Sequence, residues 1–251
     1  MKTNYLYNEN CLDTMARMED NFIDLTITSP PYDNLRKYNG YSFDFESIAK
    51  ELYRTTKEGG VVVWIVGDKT HKGSETGTSF KQALYFMECG FKLHDTMIYK
   101  KSVPPMNDRR YQHNFEYMFV FSKGKPKTFN PIMINKKYND KRSTKNFHRN
   151  DDGVFVEGFS KPKQKLKIKE NVWNLFAGGG SSDKIASKHP AIFPEQLAND
   201  HIISWSNEGD LVYDCFMGSG TTAKMAKSKN RNWIGSEINE EYCKIINERL
   251  T

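Results

Sequence analysis

The stretch DCFMGSGTTA, residues 214–223, joins an apolar run that predicts a strand (GDLVYDCF, residues 209–216) to a run that predicts a helix (TTAKMAKSKN, residues 221–230). Gly218 and Gly220 allow the backbone to approach a ligand closely and to adopt dihedral angles that a β-carbon would penalise. The helix that follows offers its free N-terminal amide groups. Glu237, about 20 residues further on, ends the next predicted strand, where a carboxylate can accept hydrogen bonds from ribose hydroxyls.

Three interpretations of this turn are open at this point. It fits a cofactor that contains a nucleoside, and it also fits a nicotinamide dinucleotide, because Gly218-x-Gly220-x-x-Ala223 satisfies the loose dinucleotide fingerprint. It equally fits an ordinary glycine-rich connection between a strand and a helix.

The position of the turn in the chain predicts the fold. Only 14 residues follow Glu237, which is enough for one helix and no further strand. A nucleotide-binding sheet needs more strands, so the N-terminal half must supply them, with the predicted strands at residues 4–8 and 23–28 next to the two C-terminal ones. The sequence therefore predicts a circularly permuted α/β fold with a mostly parallel sheet.

Further elements follow from apolar periodicity. Residues 61–68 are apolar on both faces, which predicts a central parallel strand, and residues 92–100 and 115–123 predict two strands close enough to pair antiparallel. Helices are predicted over residues 45–60, closed by a glycine pair, over residues 79–90, and over residues 193–206 with Pro194 in the first turn.

Cysteine spacing and hydropathy exclude several classes of protein. The four cysteines (Cys11, Cys89, Cys215 and Cys243) are far apart and lack the spacing of a zinc site, so no metal is predicted. They indicate reduced thiols. The longest apolar run, residues 61–66, is far shorter than the ~20 residues that cross a bilayer, and residues 1–20 lack a signal-peptide pattern. We expect a cytoplasmic protein without a membrane partner.

The positive charge is concentrated in one region. The chain carries a net charge of +6, yet residues 123–170 hold 14 basic against 5 acidic side chains, whereas the rest holds 23 against 26. Residues 124–170 show no sustained period and predict an insert. A cationic segment favours a polyanion partner because lysines that contact phosphates release counterions. A solvated lysine-rich insert that binds nothing is the alternative.

The stretch TITSPPYDN, residues 26–34, ends a predicted strand with two prolines and an aromatic residue. Pro30 and Pro31 enforce a stiff, extended path, which leaves the Ser29 and Pro30 carbonyls outside any ladder. The exocyclic amine of a base could donate hydrogen bonds to the Ser29 side chain and the Pro30 carbonyl, while Tyr32 stacks on the base. The lone pair of the amine nitrogen would then point at a methyl sulfonium. Such a base must be flipped out of the duplex. A plain strand terminator is the alternative.

Residues 28–32 (TSPPY) resemble the catalytic motif of amino DNA methyltransferases, and residues 214–222 (DCFMGSGTT) resemble their S-adenosylmethionine loop. The order of the motifs resembles the beta class. The resemblance implies a Rossmann-like methyltransferase fold with S-adenosylmethionine as cofactor and double-stranded DNA as partner. It implies a catalytic half (residues 1–123), a target-recognition insert (124–170) and a cofactor-binding half (171–251).

The resemblance also assigns residues. The catalytic set is Ser29, Pro30, Pro31 and Tyr32. The cofactor set is Asn10, Cys11, Phe193, Asp214, Phe216, Gly218, Gly220, Thr221, Thr222 and Glu237. The basic charge of the insert, and not the resemblance, predicts the DNA-binding set, which is Lys136, Lys137, Arg142, Lys145, Lys163, Lys165 and Lys167. Asn10 stands where the family usually has Asp, and Cys215 stands where Pro is common.

Ser29 resembles N4-cytosine enzymes, whereas N6-adenine enzymes more often carry Asp at this position, so cytosine N4 is the predicted target and adenine N6 the alternative. A C5-cytosine enzyme needs a nucleophilic cysteine, and no Pro-Cys pair occurs in the chain. More distant alternatives are a nicotinamide-dependent oxidoreductase and an inert DNA-binding module. A cognate restriction endonuclease is a further expected partner, and both a monomer and a homodimer fit the sequence.

Overall fold

A computed structural model describes residues 1–31, 43–102, 110–136, 146–158, 165–176, 185, 192 and 194–251. The chain divides into two compact units, one formed by Met1–Asn130 with Asn171–Thr251 and the other by Pro131–Glu170. Among these described residues, none of the helices has the length and apolar character needed to cross a membrane.

Among the described residues, strands and helices alternate near both ends of the chain, whereas the middle contains runs of consecutive strands. The strands are β1 (Tyr5–Tyr7), β2 (Ile23–Thr28), β3 (Thr56–Val66), β4 (Thr70–His71), β5 (Ser74–Glu75), β6 (Lys92–Lys101), β7 (Phe115–Ser122), β8 (Met133–Asn135), β9 (Asn146–Arg149), β10 (Phe155–Gly158), β11 (Leu166–Ile168), β12 (Val172–Leu175), β13 (Leu211–Asp214) and β14 (Asn232–Ser236). The helices are α1 (Cys11–Ala16), α2 (Phe45–Thr55), α3 (Thr78–Glu88), α4 (Glu195–Trp205), α5 (Thr221–Ser228) and α6 (Glu240–Leu250).

One eight-stranded sheet organises the first unit, in the order β1-β14-β13-β2-β3-β7-β6-β12. All neighbouring strands from β1 to β3 in this order are parallel, as are β6 and β12, whereas β7 is antiparallel to both β3 and β6. The two C-terminal strands thus lie between the two N-terminal ones. The predicted permuted α/β fold with an antiparallel hairpin is confirmed.

Strand β3 is central and buried, as predicted, but it is not purely parallel. It pairs parallel with β2 and antiparallel with β7. Both faces are enclosed because helices cover each side of the sheet. Met15, Leu52 and Phe86 from α1, α2 and α3 share one apolar cluster with Trp64. On the other face, α4 buries Leu197, Ala198 and Ile202 and contacts β2.

Helix α2 ends at Thr55, five residues before the predicted end at the glycine pair. Thr55 and Thr56 end it because their hydroxyls donate to the carbonyls of Glu51 (2.7 Å) and Leu52 (2.6 Å), which satisfies the last turn. Thr56 is already extended and starts β3. Gly59 adopts φ 80° and lies within β3, where its amide donates to the Lys123 carbonyl at 2.7 Å.

The second unit contains two short antiparallel pairs among its described residues, β8 with β11 and β9 with β10. It begins at Pro131, later than the predicted start of the insert at residue 124. The intervening residues belong to the first unit: the Asn130 amide donates to the Ser204 carbonyl at 2.8 Å, and the Lys127 amide donates to the Gly59 carbonyl at 3.0 Å. The role of this unit in target recognition stays a prediction.

Candidate active site

The two motifs meet at one edge of the large sheet. Strands β2 and β13 are adjacent and parallel, with Leu25 opposite Val212 and Thr26 opposite Tyr213, so their carboxyl ends lie side by side. Ser29 follows β2, and the glycine turn follows β13. Pro30 is buried, whereas Ser29 and Pro31 are half-buried. The fold therefore brings the predicted catalytic loop next to the predicted cofactor turn.

A buried hydrogen bond joins the two strands at this point. Thr28 Oγ1 donates to Asp214 Oδ1 at 2.7 Å, and the same carboxylate oxygen accepts the Phe216 amide at 3.1 Å. Cys215 Sγ lies 3.6 Å from Thr28 Oγ1, so this thiol fills the space between the strand ends. The threonine that precedes Ser29 consequently fixes the predicted catalytic loop relative to the predicted cofactor turn.

Asp214 carries an unsatisfied oxygen in the protein interior. The residue is 1% exposed, and its Oδ2 has no hydrogen-bond partner within the described parts of the chain. Burial raises the pKa of Asp214 to about 6, although the Thr222 hydroxyl, the Thr28 hydroxyl and the Phe216 amide act on the carboxylate in the opposite direction. A buried carboxylate oxygen without a protein donor suits a ligand that brings its own N–H or O–H group.

The glycine turn has the backbone that the sequence predicts. Gly218 and Gly220 have φ angles of 54° and 80°, in the left-handed region that favours glycine. Gly220 precedes the first turn of α5, and a β-carbon there would lie 3.1 Å from Ile246 Cγ2. Thr221 and Thr222, which begin α5, are buried, and Thr222 Oγ1 donates to the Ile27 carbonyl of β2 at 3.4 Å.

Glu237 closes the turn from the neighbouring strand β14. Its Oε2 accepts the Gly218 amide at 2.8 Å, and its Oε1 accepts the Asn239 amide at 2.9 Å. Burial raises the pKa of Glu237 to about 7, while these backbone hydrogen bonds oppose the shift. Each oxygen has a second lone pair, so the carboxylate can still accept two hydroxyl groups.

The N-terminal segment lies beside Glu237. The Glu237 amide donates to the Tyr7 carbonyl at 3.0 Å, because β1 pairs with β14 at the same edge. Asn10 then caps α1, where its Oδ1 accepts the Leu12 amide at 2.9 Å. Asn and Asp are equally good caps, so the departure from the family's Asp preserves the helix start. Cys11 is buried, and burial raises the pKa of its thiol to about 12.

Several predicted site residues lie outside the described residues. These are Tyr32, Phe193, Lys137, Arg142, Lys145 and Lys163. Of the other predicted DNA-binding residues, Lys136 and Lys165 are exposed on adjacent ends of the β8–β11 pair, where the Lys136 amide donates to the Lys165 carbonyl at 3.0 Å. Lys167 is half-buried and forms an ion pair with Glu170.

The structure adds residues that sequence reasoning missed. Phe216 packs edge-on against Phe43 (5.7 Å between ring centroids) and Trp64 (6.3 Å), so an aromatic cluster supports the predicted cofactor turn. Arg249 lies in the last turn of α6 and donates to Ser219 and Thr221 of the turn. Neither contact has a sequence signal, because an aromatic residue outside a motif and an arginine near a helix end are common in any protein.

Comparison with known proteins agrees with this geometry. The model of the DNA methylase family of N6 and N4 methyltransferases matches residues 23–248. The chain belongs to this DNA methylase family. It is 62% identical over 234 residues to the orphan methyltransferase M.BamHII of Bacillus amyloliquefaciens, covering 91% of this chain and 88% of that protein. The protein is therefore a DNA methyltransferase, and the oxidoreductase and inert-module alternatives are wrong.

Solved structures show the same fold in other DNA methylases. The cytosine-N4-specific PvuII DNA methyltransferase superposes with a TM-score of 0.75 at 21% identity, covering 100% of this chain and 87% of that chain. The M1.HpyAVI–SAM complex superposes with a TM-score of 0.66 at 22% identity, covering 98% of both chains. These similarities confirm that this chain has the methyltransferase fold.

Proposed function

We propose that this DNA methylase transfers a methyl group from S-adenosylmethionine to N4 of a flipped-out cytosine in double-stranded DNA. The observation that carries the proposal is Ser29, held at the end of β2 by a buried proline and by the Thr28–Asp214 hydrogen bond, beside the glycine turn. Serine at this motif position resembles the N4-cytosine enzymes. Adenine N6 is the alternative target, because the same loop can accept hydrogen bonds from either amine.

Ser29 and Pro30 orient the amine in this mechanism. Its two N–H groups donate to the Ser29 hydroxyl oxygen and the Pro30 carbonyl, which pulls the nitrogen toward a tetrahedral form and directs its lone pair outward. The electrophilic methyl group would come from bound S-adenosylmethionine, whose sulfur–methyl bond would break to leave an uncharged thioether. The surplus amine proton leaves to solvent after transfer. Because the prolines hold both acceptors in place before the base arrives, the loop contributes mainly positioning.

The residues of the turn fit this cofactor. The unpartnered Oδ2 of Asp214 suits a ligand with N–H or O–H donors, and Glu237 can accept the ribose hydroxyls. Gly218 and Gly220 permit close approach of the backbone. We also propose cofactor contacts for Asn10, Cys11, Phe193, Phe216, Thr221 and Thr222. Tyr32 is proposed to stack on the flipped base.

We propose that residues 1–123 and 171–251 are the catalytic and cofactor-binding halves and that the basic insert contacts DNA. The lysines and arginine proposed for phosphate contacts are Lys136, Lys137, Arg142, Lys145, Lys163, Lys165 and Lys167. The proposed compartment is the cytoplasm. M.BamHII is named an orphan methyltransferase. This name favours a methylase that acts without a cognate restriction endonuclease over one that acts together with such an endonuclease.

Mass spectrometry of nucleosides tests the proposal. DNA is incubated with the protein and isotopically labelled S-adenosylmethionine and then digested to nucleosides. We expect label in N4-methylcytosine. Label in N6-methyladenine instead would overturn the cytosine assignment and leave the amino-methyltransferase activity intact. No label in either nucleoside, across DNA of diverse sequence, would overturn the proposed reaction.

A further inference from the structure

Arg249 is a buried cation that no motif of the family assigned. Its side chain is 1% exposed, although it lies two residues before the end of the chain in the last turn of α6. Nη1 donates to the Ser219 carbonyl, to Ser219 Oγ (3.1 Å) and to Thr221 Oγ1 (3.2 Å). All three acceptors belong to the glycine turn or to the first residue of α5.

The second arm of the guanidinium reaches α4. Nη2 donates to Glu195 Oε1 at 2.9 Å, and the same oxygen accepts Lys224 Nζ of α5 at 2.7 Å. Glu195 is the first residue of α4, directly after Pro194. One side chain therefore joins α6, the glycine turn and the start of α4, and its charge is paired in the interior.

The hydrogen bond to the Ser219 carbonyl has a specific effect on the turn. The peptide that joins Ser219 to Gly220 is held on its other side too, because the Gly220 amide donates to the Met217 carbonyl at 2.8 Å. Glycines lose the most conformational freedom when they are ordered, so an unsupported turn would have to be ordered by the ligand. A peptide fixed on both sides is ordered in advance, which reduces the cost of binding.

We propose that Arg249 is a positioning residue for the cofactor: it preorganises the Gly218–Gly220 turn and fixes the start of α4 to it. This inference rests on the proposed binding of S-adenosylmethionine at the turn. Arg249 acts through Ser219 and Glu195, and it contacts neither cofactor nor base in this role. Its removal should raise Kd and KM for S-adenosylmethionine more than it lowers kcat.

Arg54 provides a matched control. It also donates to two carbonyls, those of Met15 (2.7 Å) and Met18 (2.8 Å), and pairs with Glu51 and Asp20. It lies at the opposite edge of the sheet, because its carbonyl accepts the Asn21 amide just before β2 begins. Loss of either arginine removes several hydrogen bonds, but Arg54 is 31% exposed and Arg249 1%, so the Kd for the cofactor, and not the size of the change in Tm, separates general stability from support of the turn.

The experiment compares Arg249→Met, Arg249→Lys and Arg54→Met with the wild type by calorimetric titration with S-adenosylmethionine, thermal unfolding and steady-state kinetics. We expect Arg249→Met to raise Kd and KM by at least about 10-fold, which is the size of effect expected from removing one set of charged hydrogen bonds. At saturating cofactor, kcat should stay within about 3-fold of wild type. Arg249→Lys should lie between, because lysine lacks the planar fork. Arg54→Met should lower Tm and leave Kd within about 2-fold.

The outcomes are distinct. If Arg249→Met lowers Tm as Arg54→Met does but leaves Kd unchanged, Arg249 is only structural and the inference is overturned. If Arg249→Met does not fold, Arg249→Lys decides: a raised Kd supports the role, and an unchanged Kd overturns it. If wild-type protein itself binds no S-adenosylmethionine, the proposed function fails, which is a different result from equal binding by wild type and variant.

Discussion

The strands of the two compact units differ in how far they bury their large apolar side chains. In the first unit, β3 and β13 are enclosed on both faces, and large residues such as Trp64 and Tyr213 are fully buried. In the second unit, the described strands leave Phe155 63% and Ile168 53% exposed. A segment of about 40 residues is near the lower limit for an independent core. The buried core of the first unit can hold side chains in fixed geometry, and we propose that the exposed side chains of the second unit contact a partner.

Replacing Ser29 tests the chemical side of this contrast and has the largest expected effect. Ser29→Ala removes one of two proposed acceptors of the amine, so kcat should fall by about 100- to 1,000-fold, the range seen when a preorganised hydrogen-bonding group is removed from an active site. The Kd for S-adenosylmethionine should stay within about 2-fold, because Ser29 belongs to the base side of the site.

The exposed serine Ser228 on α5 serves as the control, since Ser228→Ala should change neither value. Radiolabelled methyl transfer and calorimetry measure the two quantities. If Ser29→Ala weakened cofactor binding as much as it slowed the reaction, the loop would be a structural element and the assignment of Ser29 to the amine would be wrong.

The Thr28–Asp214 hydrogen bond tests whether the first unit fixes its two motifs relative to each other. Thr28→Val keeps the shape of the side chain and leaves Asp214 Oδ1 with one fewer donor. We expect a decrease of about 1–3 kcal/mol in the free energy of unfolding and roughly a 10-fold fall in kcat.

Thr26 on the same strand is a close control. It is fully buried, and its Oγ1 has no hydrogen-bond partner in the described residues, so Thr26→Val should be neutral or stabilising. Chemical denaturation and methyl-transfer kinetics distinguish the two variants. Equal effects at the two positions would mean that the hydrogen bond to Asp214 has no special role.

The large sheet could be predicted because the sequence patterns that indicate its strands are local, and because the number of strands that the C-terminal part can supply is easily counted. The glycine turn, Glu237 and the short C-terminal remainder were enough to place β13 and β14 beside β1 and β2. The early end of α2 was not predictable from apolar spacing, since two threonine hydroxyls satisfy the last turn. The antiparallel pairing of β3 was missed because burial on both faces reports coverage by helices and not strand direction.

The site shows the same division. The sequence placed the motif residues near strand ends, and their roles stay predictions, whereas contacts between distant segments were not predicted. Arg249 donates to Ser219, which lies 30 residues earlier in the chain, and the Phe43 ring contacts the Phe216 ring from a distant segment. Such pairs have no fixed spacing in the chain, so tertiary structure alone identifies them. Thr28 was quoted within the motif, yet its hydrogen bond to Asp214 required both strands to be placed.

The raised pKa of Glu237 predicts that cofactor binding by the first unit depends on pH. Its pKa of about 7 in the free protein means that the carboxylate gains a proton as the pH falls through 7. Donor hydroxyls favour the ionised form, so affinity should be highest above pH 7 and decline below it. Between pH 8 and pH 6.5 the ionised fraction falls by about 4-fold, and Kd for S-adenosylmethionine should rise by a similar factor.

Glu237→Gln cannot titrate, so its Kd should be weaker at pH 8 and should lack this component of the pH dependence. Ionisation of the methyl donor itself affects both proteins equally and cancels in the comparison. Calorimetric titration at four pH values measures the effect. Parallel pH profiles for wild type and variant would show that Glu237 does not contact the cofactor.

Charge removal on the second unit should have the smallest effect on catalysis. Lys136→Ala with Lys165→Ala removes two exposed cations from the β8–β11 pair. The slope of log K against log salt should flatten by about 0.9 for each phosphate that these lysines neutralise in the wild type. We expect Lys167→Ala to matter less, because Lys167 already pairs with Glu170. Fluorescence anisotropy with duplex DNA from 50 to 200 mM salt, a range on the order used for such slopes, measures each value.

A second pair of lysines on the first unit completes the comparison of the two units. The double variant Lys81→Ala with Lys92→Ala, at exposed positions of α3 and β6, removes the same charge and should leave the slope unchanged. Because both double variants lower the net charge equally, a difference between them reports where DNA lies and not how basic the chain is. Equal slopes would mean that the lysines of the second unit are solvated, and the contrast between a chemical unit and a DNA-contacting unit would then lack its electrostatic basis.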